Sequence, residues 1–167
     1  FDKFHVNAER IYRVEQIMIE GGRTERMVGT PEPLWKVLEN EFPEVEASMR
    51  FVPQEVELVP EEGAPFVSDL IFVEHNFLSS FSFRLLFGDP ATALSEPLTM
   101  VLTESTAMKL YGRTDVLGES YELGPVPLTV TGVLEDVPAN SSIDFDLLAS
   151  IETINVYYGG GKDQFTS

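Results

Sequence analysis

The sequence has no cysteine, which excludes disulfide bonds, a thiolate nucleophile and cysteine-ligated zinc together. Basic residues are few: 11 Lys and Arg stand against 28 Asp and Glu, a formal net charge of −17. A surface of that sign repels phosphate, so neither a nucleic-acid backbone nor an anionic lipid surface is expected as the principal partner. The acids are read as a broadly spread, solvated surface, of the kind that salt-adapted organisms carry across their proteins. Long apolar runs are missing too. The longest uncharged stretch, Leu123 to Leu134, contains two prolines and two glycines and falls far short of the ~20 residues a helix needs to cross a bilayer. The sequence starts at Phe1 without initiator methionine or signal peptide and closes on a Gly-rich polar tail, so it reads as a piece of something longer.

The motifs of common chemistries are also absent: there is no G-x-S-x-G, no G-x-x-x-x-G-K-[ST] and no G-x-G-x-x-G. The two histidines, His5 and His75, are far apart in sequence and read as separate, non-catalytic residues, because metal sites usually include a close ligand pair. Asp144 and Asp146 would share one side of a strand, as glycosidase carboxylates or a hard-cation site do. With no EF-hand spacing and no third acid, they read instead as the wet face opposite Ile143, Phe145 and Leu147. Glu61-Glu62 and Glu135-Asp136 read as solvated charges in turns. Phe77, Phe81, Phe83 and Phe87 have core spacing, with a pocket for a small apolar ligand as the alternative. No catalytic, cofactor-binding or metal-ligating residue is assigned, and no cofactor is expected.

What is present is a chain of 167 residues, 43% hydrophobic, long enough to bury ~70% of its extended surface. Its most patterned stretch runs from Leu128 to Ser150. Leu128, Val130, Gly132 and Leu134 alternate with Thr129, Thr131, Val133 and Glu135, the period of a strand. Val137-Pro138 and Ala139-Asn140-Ser141-Ser142 then supply turn chemistry, and a second alternating segment starts at Ile143. Elsewhere the pattern predicts a helical turn at 7–10 and a strand over 11–19 ended by Gly21-Gly22. A helix of about three turns capped by Thr30 and closed by Pro43 follows, then strand-like composition over 45–59. Pro60 to Pro65 is read as a boundary or a long hairpin loop. Further on, strands are predicted at 70–74, 99–103, 120–123 and 128–137, the last two joined across Gly124-Pro125. Asn76 and Thr103 stand where helix caps belong, Gly112 where a helix stops, and 151–157 reads as helical before the flexible glycines at 159–161. The fold class is α+β: a βαβ unit over 1–60, and a mostly β part with short helices and a flexible tail over 61–167.

Several of these stretches, in this order, resemble a known family. They are FDKFH at 1–5 with RIYRV at 10–14, EFPEV at 41–45, FLSSFSF at 77–83, and Gly88-Asp89-Pro90 with Ala93-Leu94. TESTA at 103–107 and the whole of Leu128 to Ser150 complete the series. Together they resemble the MacB-like periplasmic core domain of ABC-transporter permeases, in the large-permease branch common in Bacteroidetes-type bacteria. The signature residues are Asp89, Pro90, Thr103, Glu104, Ser105, Pro138, Asn140 and Ser141, for which the resemblance implies structural roles. It further implies a non-catalytic domain on the periplasmic face of the inner membrane, inserted between the first and second transmembrane helices. A porter-like part built of βαβ units and a mostly β part are expected within it. A further porter-like segment would follow in the parent chain. The implied partners are the rest of the permease, its separate cytoplasmic nucleotide-binding ATPase, and a periplasmic adaptor or lipoprotein. Two alternatives stay open: a stand-alone periplasmic ligand-binding module, and a hydrolase using Asp144 and Asp146.

Overall fold

The central strands form where apolar and β-branched residues are covered on both faces. The computed structural model describes residues 5–20, 23–27, 31, 33–124 and 126–157. After a 3-10 turn at Ala8–Arg10 come β1 (Gln16–Glu20), β2 (Arg23–Met27), α1 (Leu34–Glu41), β3 (Phe51–Leu58), β4 (Phe66–Val73), α2 (Phe77–Ser80) and β5 (Leu85–Gly88). There follow β6 (Thr99–Thr103), α3 (Glu104–Tyr111), β7 (Ser120–Glu122), β8 (Pro127–Leu134), β9 (Leu147–Ser150) and α4 (Glu152–Tyr157). Seven strands make one curled mixed sheet in the order β3-β4-β9-β6-β8-β5, with β7 pairing the first half of β8. The class is α+β.

The central strands are buried throughout, as a sheet covered on both faces requires. On one face Leu58, Leu70, Phe72, Met100, Leu102, Leu128, Val130 and Leu147 meet Ala107 and Leu110 of α3. On the other, Ile71, Val73, Val101, Leu134 and Leu148 meet Phe77, Phe81, Phe83, Phe145, Ala93 and Leu94. Helix α3 follows its sequence signals closely. Thr103 accepts the Thr106 N–H at 3.3 Å on its hydroxyl, and Gly112 ends the helix, its N–H donating to the Met108 carbonyl.

Several expectations change. The strand expected over 11–19 begins only at Gln16, and its partner β2 is a polar segment without strand composition, held by antiparallel pairing with β1; Gly21-Gly22, read as ending the strand, lie outside the described residues. These two strands form their own sheet, so the strand, helix and strand of the first 60 residues follow one another without a parallel pair. Helix α1 spans two turns, not three. It starts at Leu34 after a turn in which the Leu34 N–H reaches the Pro31 carbonyl. Asn76 occupies the cap position of α2 without a side-chain cap; its carbonyl instead accepts the Ser79 hydroxyl at 2.9 Å. Of the two readings of Pro60 to Pro65, boundary or long hairpin loop, the hairpin loop holds: it joins β3 to β4. Phe1 to Phe4, the Thr30 cap, Pro125 and the glycines at 159–161 lie outside the described residues.

The regular alternation of β8 is broken by a bulge. Val130 pairs with Met100 and Gly132 with Val101, so Thr131 is skipped. The extra residue sends Val133 to the α3 side and Leu134 to the aromatic side, whereas strict alternation put Leu134 with Leu128 and Val130. The Thr131 hydroxyl lies within hydrogen-bond distance of the Ala93 carbonyl at 2.5 Å and the Met100 carbonyl at 3.0 Å, which fixes the bulge. Beyond it Gly132 pairs with Gly88 of β5. Gly88 has φ +103°, and a Cβ there would stand 2.5 Å from the Thr131 carbonyl oxygen.

Tyr111, on the last turn of α3, carries a pH-dependent contribution. Burial, then the Glu119 carboxylate, pushes its phenol up to about 12, and its hydroxyl has no hydrogen-bond partner among the described residues. The unfolded phenol titrates near ~10, so the neutral ring favours the fold fully below that pH and less as pH rises towards 12. Tyr111→Phe is expected to flatten this alkaline limb and to leave stability at pH 7 unchanged or raised by up to ~1 kcal/mol. Urea midpoints at pH 7 and pH 11 check it; an alkaline limb as steep as that of the parent chain would sink the assignment.

Candidate functional site

The residues singled out in the sequence gather mostly at one end of the main sheet. β6 and β8 are parallel and finish together, Thr103 opposite Leu134. The chain leaving β8 must pass over the end of β6 to enter β9, which runs antiparallel on β6's other side. The run 135–146 makes this crossing. Asp136 accepts two bonds from Ser105, from its N–H at 2.9 Å and its hydroxyl at 2.5 Å, and so holds the start of α3. Glu135 pairs with Arg84 at 2.6 Å on the exposed surface. Asp136 is exposed, in keeping with the reading of Glu135-Asp136 as solvated charge, and is in addition a structural acceptor.

Along the same run, the Ser141 N–H donates to the Pro138 carbonyl at 2.8 Å, and the Ser141 hydroxyl donates to the Ile143 carbonyl at 2.6 Å. Asn140 and Pro138 are exposed at this turn, and Glu104 is exposed on the first turn of α3. Residues 143–146 do not form the expected strand, because β9 starts at Leu147. Ile143 and Phe145 turn into the aromatic cluster while Leu147 joins the opposite face, so the three do not share one side. The Asp146 carboxylate accepts the Asp69 N–H at 3.0 Å, and its backbone bonds both Asp69 and Thr103. Asp144 instead lines an open depression of about 360 Å³ with Pro53, Gln54, Glu55, Asp69, Leu70 and Ile71. The two acids are thus divided, one tying strands together and the other facing solvent. Among the described residues no group of three or more His, Asp or Glu is placed to hold a metal ion.

Asp89 and Pro90 belong to a second turn. The Asp89 carboxylate accepts the Ala91 N–H at 2.9 Å and its carbonyl the Thr92 and Ala93 N–H groups, which seats Ala93 and Leu94 in the core. The four phenylalanines separate: Phe77, Phe81 and Phe83 pack against one another, Phe51 and Phe145 with ring centroids 4.8–6.3 Å apart, while Phe87 is 40% exposed on β5. Core packing of the first three is what the rings do; they fill the space between them with each other. His75 is exposed after β4, and His5 is buried against Phe81 and Phe83.

One surface was not singled out by the sequence pattern. Helix α1 has no buried residue: Leu34, Trp35 and Leu38 are half-buried, and Val37 and Phe42 are exposed. In β1, Ile17 and Ile19 are 54% and 74% exposed, and Tyr12 and Val14 ahead of it are exposed too. The helix is fastened at its base, where the Trp35 ring lies 4.8 Å from the Arg50 guanidinium, which in turn pairs with Glu74 at 2.6 Å. The amphipathic helix and the hairpin each leave apolar side chains outward. The signal for it lay in the weak strand composition of 11–27.

The family model for the MacB-like periplasmic core domain matches residues 1–166. The chain belongs to that family. Among solved structures, this MacB-like domain is similar to a domain described as from a permease protein of Porphyromonas gingivalis, with 30% identity and a TM-score of 0.60 over 71% of this chain and 56% of that one. It shares its fold with the periplasmic region of MacB from Actinobacillus actinomycetemcomitans, at 18% identity and TM-score 0.53, covering 70% of this chain and 53% of that one. The extracellular domain of the noncanonic ABC-type transporter YknZ from Gram-positive bacteria matches at 17% identity and TM-score 0.50, over 66% of this chain and 57% of that one. The MacB-like chain thus spans little more than half the length of these relatives. No curated protein matches it. Among the described residues no helix is long and apolar enough to cross a membrane.

Proposed function

We propose that this MacB-like domain is the extracytoplasmic, non-catalytic part of an ABC permease, on the periplasmic face of the inner membrane. There it couples ATP hydrolysis by a cytoplasmic nucleotide-binding subunit to the handling of a substrate or partner outside. The observation that carries this reading is the family match over residues 1–166. The outward apolar side chains of α1 and of β1 support it, because a domain that relays motion needs a surface on which a neighbour bears. Residues 1–60 are the porter-like part in this reading. The partners are the rest of the permease, its ATPase, and a periplasmic adaptor or lipoprotein. The parent reading frame should encode one apolar segment of ~20 residues before Phe1 and three more after Ser167. In proteoliposomes holding the full permease and its ATPase, removing this domain should abolish transport while ATP hydrolysis continues. A signal peptide followed by a wholly polar remainder, or transport undiminished without the domain, overturns the reading.

A further inference from the structure

Strand β3 stands at one end of the main sheet, and among the described residues it pairs with β4 alone. Pro53 lies inside it, opposite Ile71. Proline has no N–H to give to a ladder, so within a strand its nitrogen belongs on the open side. The period of two then turns the N–H and C=O groups of Glu55 and Glu57 to that side as well. The next residue of the same parity agrees: the Val59 N–H points away from β4 and donates to the Tyr121 hydroxyl at 2.7 Å. That bond closes the far end of the edge, and among the described residues the run from Phe51 to Glu57 is open.

The two sides of this edge differ in chemistry. On one, Val52 and Val56 are half-buried against the core that includes Leu58, Leu70 and Phe72. On the other, Glu55 and Glu57 are exposed next to their β4 partners Asp69 and Val67, and Asp144 joins Glu55 and Asp69 around the open depression. Among the described residues none of these four carboxylates is paired with a Lys or Arg. From Phe51 to Phe83 the sequence has no lysine or arginine at all. A second copy adding its own β3 here would set glutamates against glutamates, which disfavours self-pairing.

We propose that the open edge of β3 takes up an extended segment of a partner protein in which Lys or Arg alternates with apolar residues. Added as a further strand, the segment bonds the outward backbone groups of Glu55 and Glu57. Its apolar side chains lie beside Val52 and Val56 and extend the half-covered core. Its cations lie beside Glu55 and Glu57, where long side chains reach over the depression towards Asp69. The backbone supplies affinity, and the unpaired carboxylates choose the charge of the partner.

The test uses the full 167-residue chain and a short capped peptide alternating lysine and valine, long enough to run from Phe51 to Glu57. At saturating peptide, amide exchange at Glu55 and Glu57 should slow at least about tenfold, while Val52 and Val56, whose N–H groups point to β4, change little. Replacing Glu55→Gln, Glu57→Gln and Asp69→Asn together should weaken binding roughly tenfold, and added salt should weaken it in the parent chain. Glu55→Pro removes an edge N–H as well as a charge, so it should bind more weakly than Glu55→Gln; if it does not fold, the exchange pattern of the parent chain still decides. A peptide alternating glutamate and valine that binds equally well overturns the proposal. So does lysine-peptide binding that leaves Glu55 and Glu57 unprotected, which is general attraction to an acidic chain, or a dimer of the chain that protects them without peptide.

Discussion

Phe77→Ala is expected to lower the unfolding free energy by about 3–5 kcal/mol, the largest effect of any single side-chain truncation considered for this domain. Phe77 is fully buried and its ring touches four others, lying 5.5 Å from Phe51, 4.8 Å from Phe81, 5.7 Å from Phe83 and 6.1 Å from Phe145. Truncation removes the transfer free energy of the ring and leaves a cavity that rings fixed by the sheet on one side and α2 on the other cannot close. A typical domain is stable by only ~5–15 kcal/mol, so the variant should unfold at a much lower urea concentration. Phe87→Ala, at a site 40% exposed, is the control and should cost less than about 1 kcal/mol. Equal midpoints for the two variants would show that the aromatic cluster does not bear the fold.

The second large effect concerns backbone. Gly88→Ala is expected to cost at least ~2 kcal/mol, from a left-handed φ together with a collision that only a backbone shift relieves. The would-be Cβ stands 2.5 Å from the Thr131 carbonyl oxygen and 3.0 Å from the Gly132 Cα, both backbone atoms of β8. Gly118→Ala separates the two causes, since φ is +84° there but nothing lies within 4 Å of the added methyl. The difference between the variants' urea midpoints measures the collision alone. Gly88→Ala no more destabilising than Gly118→Ala would mean that β5 slides away from β8 at no cost.

Where the sequence was informative, local chemistry and tertiary need agreed. Thr103 can cap α3 only because the chain turns there, and the same hydroxyl chemistry marks it in the sequence. The apolar strands β6 and β8 and the short hairpin between β7 and β8 were legible for the same reason. The misreadings have physical causes of their own. β2 is Arg-Thr-Glu-Arg-Met and becomes a strand through pairing, which leaves no mark in composition. The bulge at Thr131 arises from two carbonyls belonging to Ala93 and Met100, far away in the chain, and no period-two pattern can announce it. Asp136 and Asp146 looked like surface charge because their partners, Ser105 and Asp69, are 31 and 77 positions distant. That Thr103, Ser105 and Ser141 fasten one crossing over the end of β6 could not be read from the sequence.

The position of β9 has a consequence for how the domain comes into being. It is the last of the described strands, yet it stands in the middle of the sheet, parallel to β4 on one side and antiparallel to β6 on the other. Until Leu147 to Ser150 arrive, β4 and β6 have no shared neighbour, and the β3–β4 hairpin and the β5–β8 group are separate pieces with open edges facing each other. A chain that emerges amino end first must therefore hold two half-sheets apart until β9 is available. Closure is then a single late event, in which four residues zip both halves together and bury the faces of both cores at once.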